Sequence, residues 1–439
     1  MAVATSVLDF LAGQFPIARF RPLNDCEPGR PERQRQRETD RNLYAEGGVI
    51  MKRRAVWTMI TMCAALLFAL MPAKRAVADD ESSILNKFHN VSAVASTVPA
   101  NGDVNPYGIV QVAKTIGNLQ QGHLLISNFN SSANLQGTGT TIVEVAPDGT
   151  VSLFAQINAA KLPGACPGGV GLTTALAVLR TGWVIVGSLP TTDGTSATAQ
   201  PGCLIVLDSK GNVVETFFGS LISGPWDMTS TDNENEAKLY VTNVLNGTLA
   251  AGGAVVNQGT VVRIDLGVSE TTMPWIESMT VIGSGFAERT DPAALVIGPT
   301  GVGLSPLCGD DDRDDCTVRS QEDHAVLYVA DSLNNRIAAI PDAAHRHDSA
   351  GTGVTVAHGG SLNDPLGLIV VPNGHILVVN GNDGYAVEFS PKGAQVAKKL
   401  LDSSGSPVPG AGALFGLVFD PQRGLFYVDD ASNTLNELH

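Results

Sequence analysis

The 439-residue chain is short of charge and of aromatic rings: charged residues make up 16% and Phe, Trp and Tyr together 5%. A core with so few rings must be built from Val, Leu, Ile and Ala. Abundant glycine and recurrent β-branched residues then point to many short strands and tight turns, not helical bundles. Signature motifs are missing too. There is no G-x-S-x-G, no H-E-x-x-H and no phosphate loop, which removes the usual marks of a serine hydrolase, a zinc peptidase or a nucleotidase. No C-x-x-C or Cys/His spacing suggests a zinc site.

The first 78 residues stand apart from the rest. Residues 1–50 carry Arg30, Arg33, Arg35, Arg37 and Arg41 with no apolar periodicity, the composition of a disordered or mis-annotated extension. Met51 then opens M-K-R-R, an apolar run from Ala55 to Met71, and A-V-A at 76–78. That order of basic, apolar and small residues marks 51–78 as a secretory signal peptide with Met51 as the true start. The competing reading is an uncleaved anchor, since the run is at the short limit for a span. Without the leader, 16 Lys and Arg face 36 Asp and Glu, a net of −20. So acidic a surface repels phosphate backbones and anionic membranes, which argues against nucleic acid as a partner. The expected compartment is secreted or periplasmic. The expected form is a monomer with no membrane span after cleavage.

Repeats organise residues 79–439. The clearest unit is D-P-L-G-L-I-V-V-P-N-G-H-I-L-V-V-N-G-N-D-G-Y-A-V-E-F-S-P-K-G from Asp364, and the second is L-Y-V-A-D-S-L-N-N-R-I-A-A-I-P from Leu327. Both resemble the NHL repeat, whose pattern runs Pro-x-Gly-Ile, Gly-Asn-Ile-Tyr-Val-Ala-Asp and Asn-Asn-Arg-Ile. Looser copies begin near Pro106, Thr173, Pro225 and Leu414, and Pro299 opens the Leu327 unit, giving six units spaced by about 60 residues. The resemblance implies an all-β, six-bladed β-propeller. The chain ends after the third strand of the sixth unit, so one strand is missing there. The segment at about 91–98, V-S-A-V-A-S-T-V, supplies it and closes the ring without an open edge.

Alternating strand directions place side chains on the two faces. Residues before the innermost strand, the end of the second strand and the start of the third share the entry face. Cys166 and Cys203 meet there within the second unit, and Cys308 and Cys316 form the other expected disulfide on the opposite face. A short polar residue recurs where the second strand ends: Asn128, Ser188, Asn243, Asp331, Asn380 and Asp430. These six are either turn-closing residues or a ring of oxygen ligands at the channel mouth, which the loops 189–202 and 245–258 would roof. Asp310, Asp312 and Asp314 match the start of a calcium loop, but Asp315 and Gln321 break it at its glycine and glutamate positions. Calcium is therefore the one cofactor worth testing. His123 and His375 occupy matching places without a motif partner.

Three functions compete: a binding module for a small ligand or protein, a calcium-dependent lactonase- or esterase-like hydrolase at the channel mouth, and a propeller lyase. The second is implied by similarity to gluconolactonase and paraoxonase propellers, the third by similarity to streptogramin lyase and peptidyl-hydroxyglycine lyase propellers. With no catalytic signature in the sequence, binding is the leading expectation. Mass spectrometry of the exported protein should find Asp79 at the N-terminus; an intact Met51 peptide would establish the anchor instead.

Overall fold

The computed structural model describes residues 83–305, 325–405 and 408–439. The leader and extension (1–78) lie outside the described residues. So do Asp310, Asp312, Asp314, Cys308 and Cys316. Six antiparallel sheets form the blades of a six-bladed β-propeller, five of them four-stranded and the third five-stranded. The innermost strands are Val104–Gln111, Leu172–Val178, Pro225–Asp232, Pro299–Ser305, Pro365–Val370 and Leu414–Asp420.

Burial within a blade explains its sequence. The second strand packs against neighbouring blades on both sides, so Leu124–Asn130 and Ile376–Asn380 are buried throughout, each opening on an apolar run and carrying its polar residues toward the end. Outer strands such as Gln395–Leu400 alternate, because only one face is covered. Apolar side chains fill the wedges between blades. Leu239, Val241 and Val262 of blade 3 pack on Ala175, Leu204 and Val206 of blade 2. Tyr328 and Ile337 of blade 4 meet Leu368, Ile376 and Val378 of blade 5.

Glycine sets how closely the innermost strands approach. A Cβ at Gly301 would lie 2.1 Å from the carbonyl oxygen of Leu366, and one at Gly367 would lie 1.9 Å from that of Phe415. Gly108 and Gly416 stand at the same place, two residues past the strand-opening Pro106 and Leu414. In blade 3 the position is Asp227.

The ring closes as the missing strand requires. Val91–Ser96 runs antiparallel to Thr434–Leu438, from Val91 opposite Leu438 to Ser96 opposite Thr434. Two asparagines in left-handed turns, Asn335 (φ 46°) and Asn433 (φ 53°), tie blade 4 to blade 5 and blade 6 to blade 1. Asn335 Oδ1 accepts from the Asp364 N–H (2.6 Å), and Asn433 Oδ1 accepts from the Asn105 N–H (2.7 Å) across the seam. Upstream of the closing strand, the short helix Ile84–Lys87 docks on blade 5. The buried Glu388 carboxylate accepts from Ser83 Oγ (2.7 Å), Ile84 N–H (2.9 Å) and Leu85 N–H (3.0 Å). Residues 83–96 thus bind blade 5 and then complete blade 6.

Asn433→Ala should leave the Asn105 N–H without its acceptor and lower the unfolding free energy by about 1–3 kcal/mol. Hydrogen exchange in Val91–Ser96 should quicken more than in Asn335→Ala, which breaks the same bond away from the seam. Equal exchange in the two variants would show that the seam is no weaker than any other junction.

Candidate functional site: a channel closed at one end

Strand register locates the recurrent polar residues. Asn128, Ser188, Asn243, Asp331 and Asn380 pair with Pro106, Leu172, Pro225, Pro299 and Pro365 at the start of the innermost strands. In blade 6 the residue paired with Leu414 is Asp429, so the sixth member is Asp429 and not Asp430. The two consecutive aspartates concealed a one-residue offset. All six of these side chains are buried. Their polar atoms hold the chain leading into an innermost strand or the turn that follows. Ser188 Oγ accepts from Gly171 N–H (3.0 Å) and donates to the Gly169 carbonyl (2.9 Å). Asn243 Oδ1 accepts from Ser223 N–H (3.2 Å), and Asn380 Oδ1 from Asn363 N–H (3.1 Å). Asn128 Nδ2 donates to the Thr97 carbonyl (3.0 Å). Asp331 is bound by Arg336 Nε (2.8 Å), and Asp429 by Ser432 N–H (3.0 Å). Apart from Asn128 Oδ1, which meets no hydrogen-bond donor, these oxygens are committed and do not fit a calcium shell.

Asp430 lies instead beside the seam. Asn105, with its amide oriented to satisfy both neighbours, donates to Asp430 Oδ1 (2.6 Å) and accepts from Asn130 Nδ2 (3.0 Å). Burial, helped by the adjacent Asp429 charge, pushes the Asp430 carboxyl up to about 7. Across the same face Asp364 is raised to about 6 by burial and by Asp291. Glu288, wholly buried and accepting from Asn246 N–H (2.9 Å), is raised to about 8 by burial.

The channel mouth on the entry face is filled. The Tyr107 ring stacks between those of Phe129 (4.5 Å between centroids) and Phe415 (3.9 Å). Trp226, Leu366, Leu189, Leu245, Leu295 and Val296 complete the same apolar cluster. The void that remains is about 10 Å³, room for one water at most. The loops 189–202 and 245–258 do contribute to the roof, through Leu189, Ala199 and Leu245. They pack into the mouth and do not enclose a pocket there, contrary to the expectation from sequence. A third contributor was not foreseen: the hairpin of Trp275–Asp291 and Leu295–Ile297 extends blade 3 and delivers Leu295 and Val296 to the plug. Leu295 holds a left-handed φ of 64° that this packing must enforce. A disulfide joins Cys166 and Cys203 on this face (Cα–Cα 5.2 Å), tying the segment before the innermost strand of blade 2 to the start of its third strand.

Beneath the plug the channel opens again. A cavity of about 260 Å³ runs along the middle and far ends of the innermost strands, and all six blades line it. Ile109, Leu176, Met228, Val302, Leu368 and Leu417 are among its walls, with Thr174, Thr229 and Ser230 as hydroxyl groups. Toward the exit face Val110, Val178, Ser230, Ile369 and Val418 are partly exposed, so water reaches the cavity from that side. Asp227 is the single ionisable residue in the lining among the described residues. Its carboxylate accepts from the N–H of Val302 in the next blade (3.0 Å), and burial pushes it up to about 7.

Two histidines have partners that their motifs did not reveal. His123 Nδ1 lies 3.0 Å from Glu144, and His375 Nδ1 lies 2.7 Å from Glu388. The glutamates occupy matching places in T-I-V-E-V and Y-A-V-E-F, so aligning the third strands would have found both pairs. In blade 5 the pair is buried under the N-terminal helix; in blade 1 the histidine is part-exposed. Among the described residues no group of three or more His, Cys, Asp or Glu side chains is placed to hold a metal ion. Nor is any helix among them long and apolar enough to cross a membrane.

No protein-family model matches the chain, and no curated protein matches it. Among solved structures it is similar to a gluconolactonase from Xanthomonas campestris (13% identity, 79% of this chain and 88% of that one, TM-score 0.47). It is also similar to regucalcin from Agrobacterium tumefaciens, described as a calcium-binding protein (15%, 80% and 93%, TM-score 0.46). A third is virginiamycin B lyase from Staphylococcus aureus (13%, 79% and 84%, TM-score 0.42). At these identities the likeness is of fold alone.

Asp227, Asp430, Asp364 and Glu288 keep their protons to higher pH in the fold than in the unfolded chain. From about pH 4 to about pH 7 the folded protein therefore binds more protons, and its stability falls as pH rises. Melting temperature should drop between pH 5 and pH 8, and Asp430→Asn should flatten part of the slope. Surface repulsion acts in the same direction but is screened in 0.5 M salt; a slope that vanishes in salt would assign it to the surface.

Proposed function

We propose that the protein is an exported, non-catalytic binding propeller, NHL-like in blades 4 and 5, that acts outside the cytoplasm as a monomer. The observation that carries this reading is the plug. Where a channel-mouth hydrolase would admit substrate, the stacked rings of Phe129, Tyr107 and Phe415 with Trp226 and Leu295 occupy the space. Most of the oxygens around that mouth hold the scaffold, through backbone N–H groups at Ser188, Asn243, Asn380 and Asp429 and through Arg336 at Asp331, which supports a binding reading. The disulfide suits an oxidising compartment. The net charge of −20 on residues 79–439 disfavours nucleic acid as a partner.

Purified protein should give no turnover of lactones or aryl esters above buffer, with calcium or with chelator. Its melting temperature should not rise with calcium, since a cation bound to the native state must raise it. Calcium-dependent turnover would replace the binding reading with the hydrolase. Dithiothreitol or the Cys166→Ser/Cys203→Ser pair should cost about 2–4 kcal/mol of stability; no change would mean that the bond is dispensable in the native protein.

A further inference from the structure

We propose that the blind channel is a binding site for a small ligand with an apolar body and a protonated amine head, and that Asp227 is its counter-ion. This deepens the binding reading and rests on it.

Position comes first. Four blades place glycine where blade 3 has Asp227, because the next innermost strand passes so close there. Blade 3 alone carries a carboxylate at that level of the ring, at the inner end of the cavity. The group is fixed from two sides: it accepts from Val302 N–H, and its own N–H donates to Thr242 Oγ1 (3.1 Å). Its aim therefore depends on backbone and not on a flexible stem.

The surroundings select the ligand. Walls of Ile109, Leu176, Met228, Val302, Leu368 and Leu417 favour an apolar body. The volume of about 260 Å³ lies just below the usual range for ligand pockets, which restricts the body to a single slim alkyl chain. Among the described residues no basic side chain lines the cavity, so an anionic ligand would face Asp227 uncompensated. The strands packed around Asp227 present Thr174, Thr242 and Val302, none of them charged. A cationic head would supply the charge this carboxylate lacks. The acidic protein as a whole draws cations toward it.

Proton linkage follows. Burial keeps Asp227 protonated up to about pH 7, and an ammonium group binds the ionised form. Apparent affinity should then rise tenfold per pH unit below 7 and level off above it, as the competent fraction grows.

Calorimetry with n-octylammonium, n-octanol and n-octanoate on the full exported protein tests this. Octylammonium should bind once per chain with the stated pH profile, and octanoate at least tenfold more weakly. Asp227→Asn should lose the profile and at least tenfold in affinity. Asp227→Gly, which installs the residue of four other blades, should do the same and melt a few degrees lower, because the Val302 N–H loses its acceptor; Asp227→Asn keeps an acceptor oxygen there, and its unchanged melting temperature shows that the fold is intact. Octanol binding as tightly as octylammonium, with both variants unaffected, would overturn the amine assignment while leaving a binding propeller. Absence of saturable binding by all three probes would overturn the site. Neither outcome touches the binding reading, which falls only to turnover.

Discussion

The antiparallel pairing of Val91–Ser96 with Thr434–Leu438 is the constraint on which the rest of the molecule depends. A propeller has no single core. Its stability lies in wedges between neighbouring sheets, and each wedge needs both neighbours in place. If the sixth sheet ended at its third strand, blade 6 would present an unpaired edge and the chain termini would be free to part. Pairing the two ends gives blade 6 a four-stranded sheet like those of its neighbours. The Asn433–Asn105 bond repeats at the seam what Asn335 and Asp364 do between blades 4 and 5. The seam thus uses the same bond that joins blades 4 and 5, and Glu388 adds a second hold by gripping Ser83, Ile84 and Leu85 one blade away.

Closure also fixes the bore. Because glycines let neighbouring innermost strands touch backbone to side-chain position, the ring has little slack, and what fills the bore is decided by the residue just before each glycine. Those residues are Tyr107, Leu366, Phe415 and Thr300, with Trp226 before Asp227 in blade 3. Three aromatic rings at one level are enough, with Phe129 and the blade 3 hairpin, to stop the entry end. The polar residues a half-turn outward then serve the scaffold. A buried Asn or Ser that satisfies two backbone groups is worth more to the fold than it could be as a loose ligand.

The architecture was legible because it is periodic. Alternation, Pro-x-Gly openings and Asn or Asp at strand ends recur often enough to count six units and to notice the strand lacking at the end. The Cys166–Cys203 pairing was legible for the same reason: strand direction alone brings the two residues to one face. What escaped is aperiodic. The hairpin of Trp275–Asp291 and Leu295–Ile297 has no counterpart in other blades, so no ruler measured it. The offset between Asp429 and Asp430 needs a hydrogen-bond register, which a pair of identical residues hides. The plug is a meeting of residues from separate blades around an axis, and each of its members alone looks like ordinary core. Asp227 was visible in G-P-W-D-M-T-S, but its importance comes from the glycines it replaces. That comparison required the blades to be superimposed.

A tube stopped at one end has a further consequence: it is not a conduit. Among the described residues the plug blocks passage along the axis, and solvent inside the ring exchanges at the exit rim. An occupant must leave by the way it came, and water refilling the bore must pass it in the opposite direction. Residence in such a cul-de-sac is governed by the width of the exit rim near Val110, Val178 and Val418 as much as by any contact at its floor.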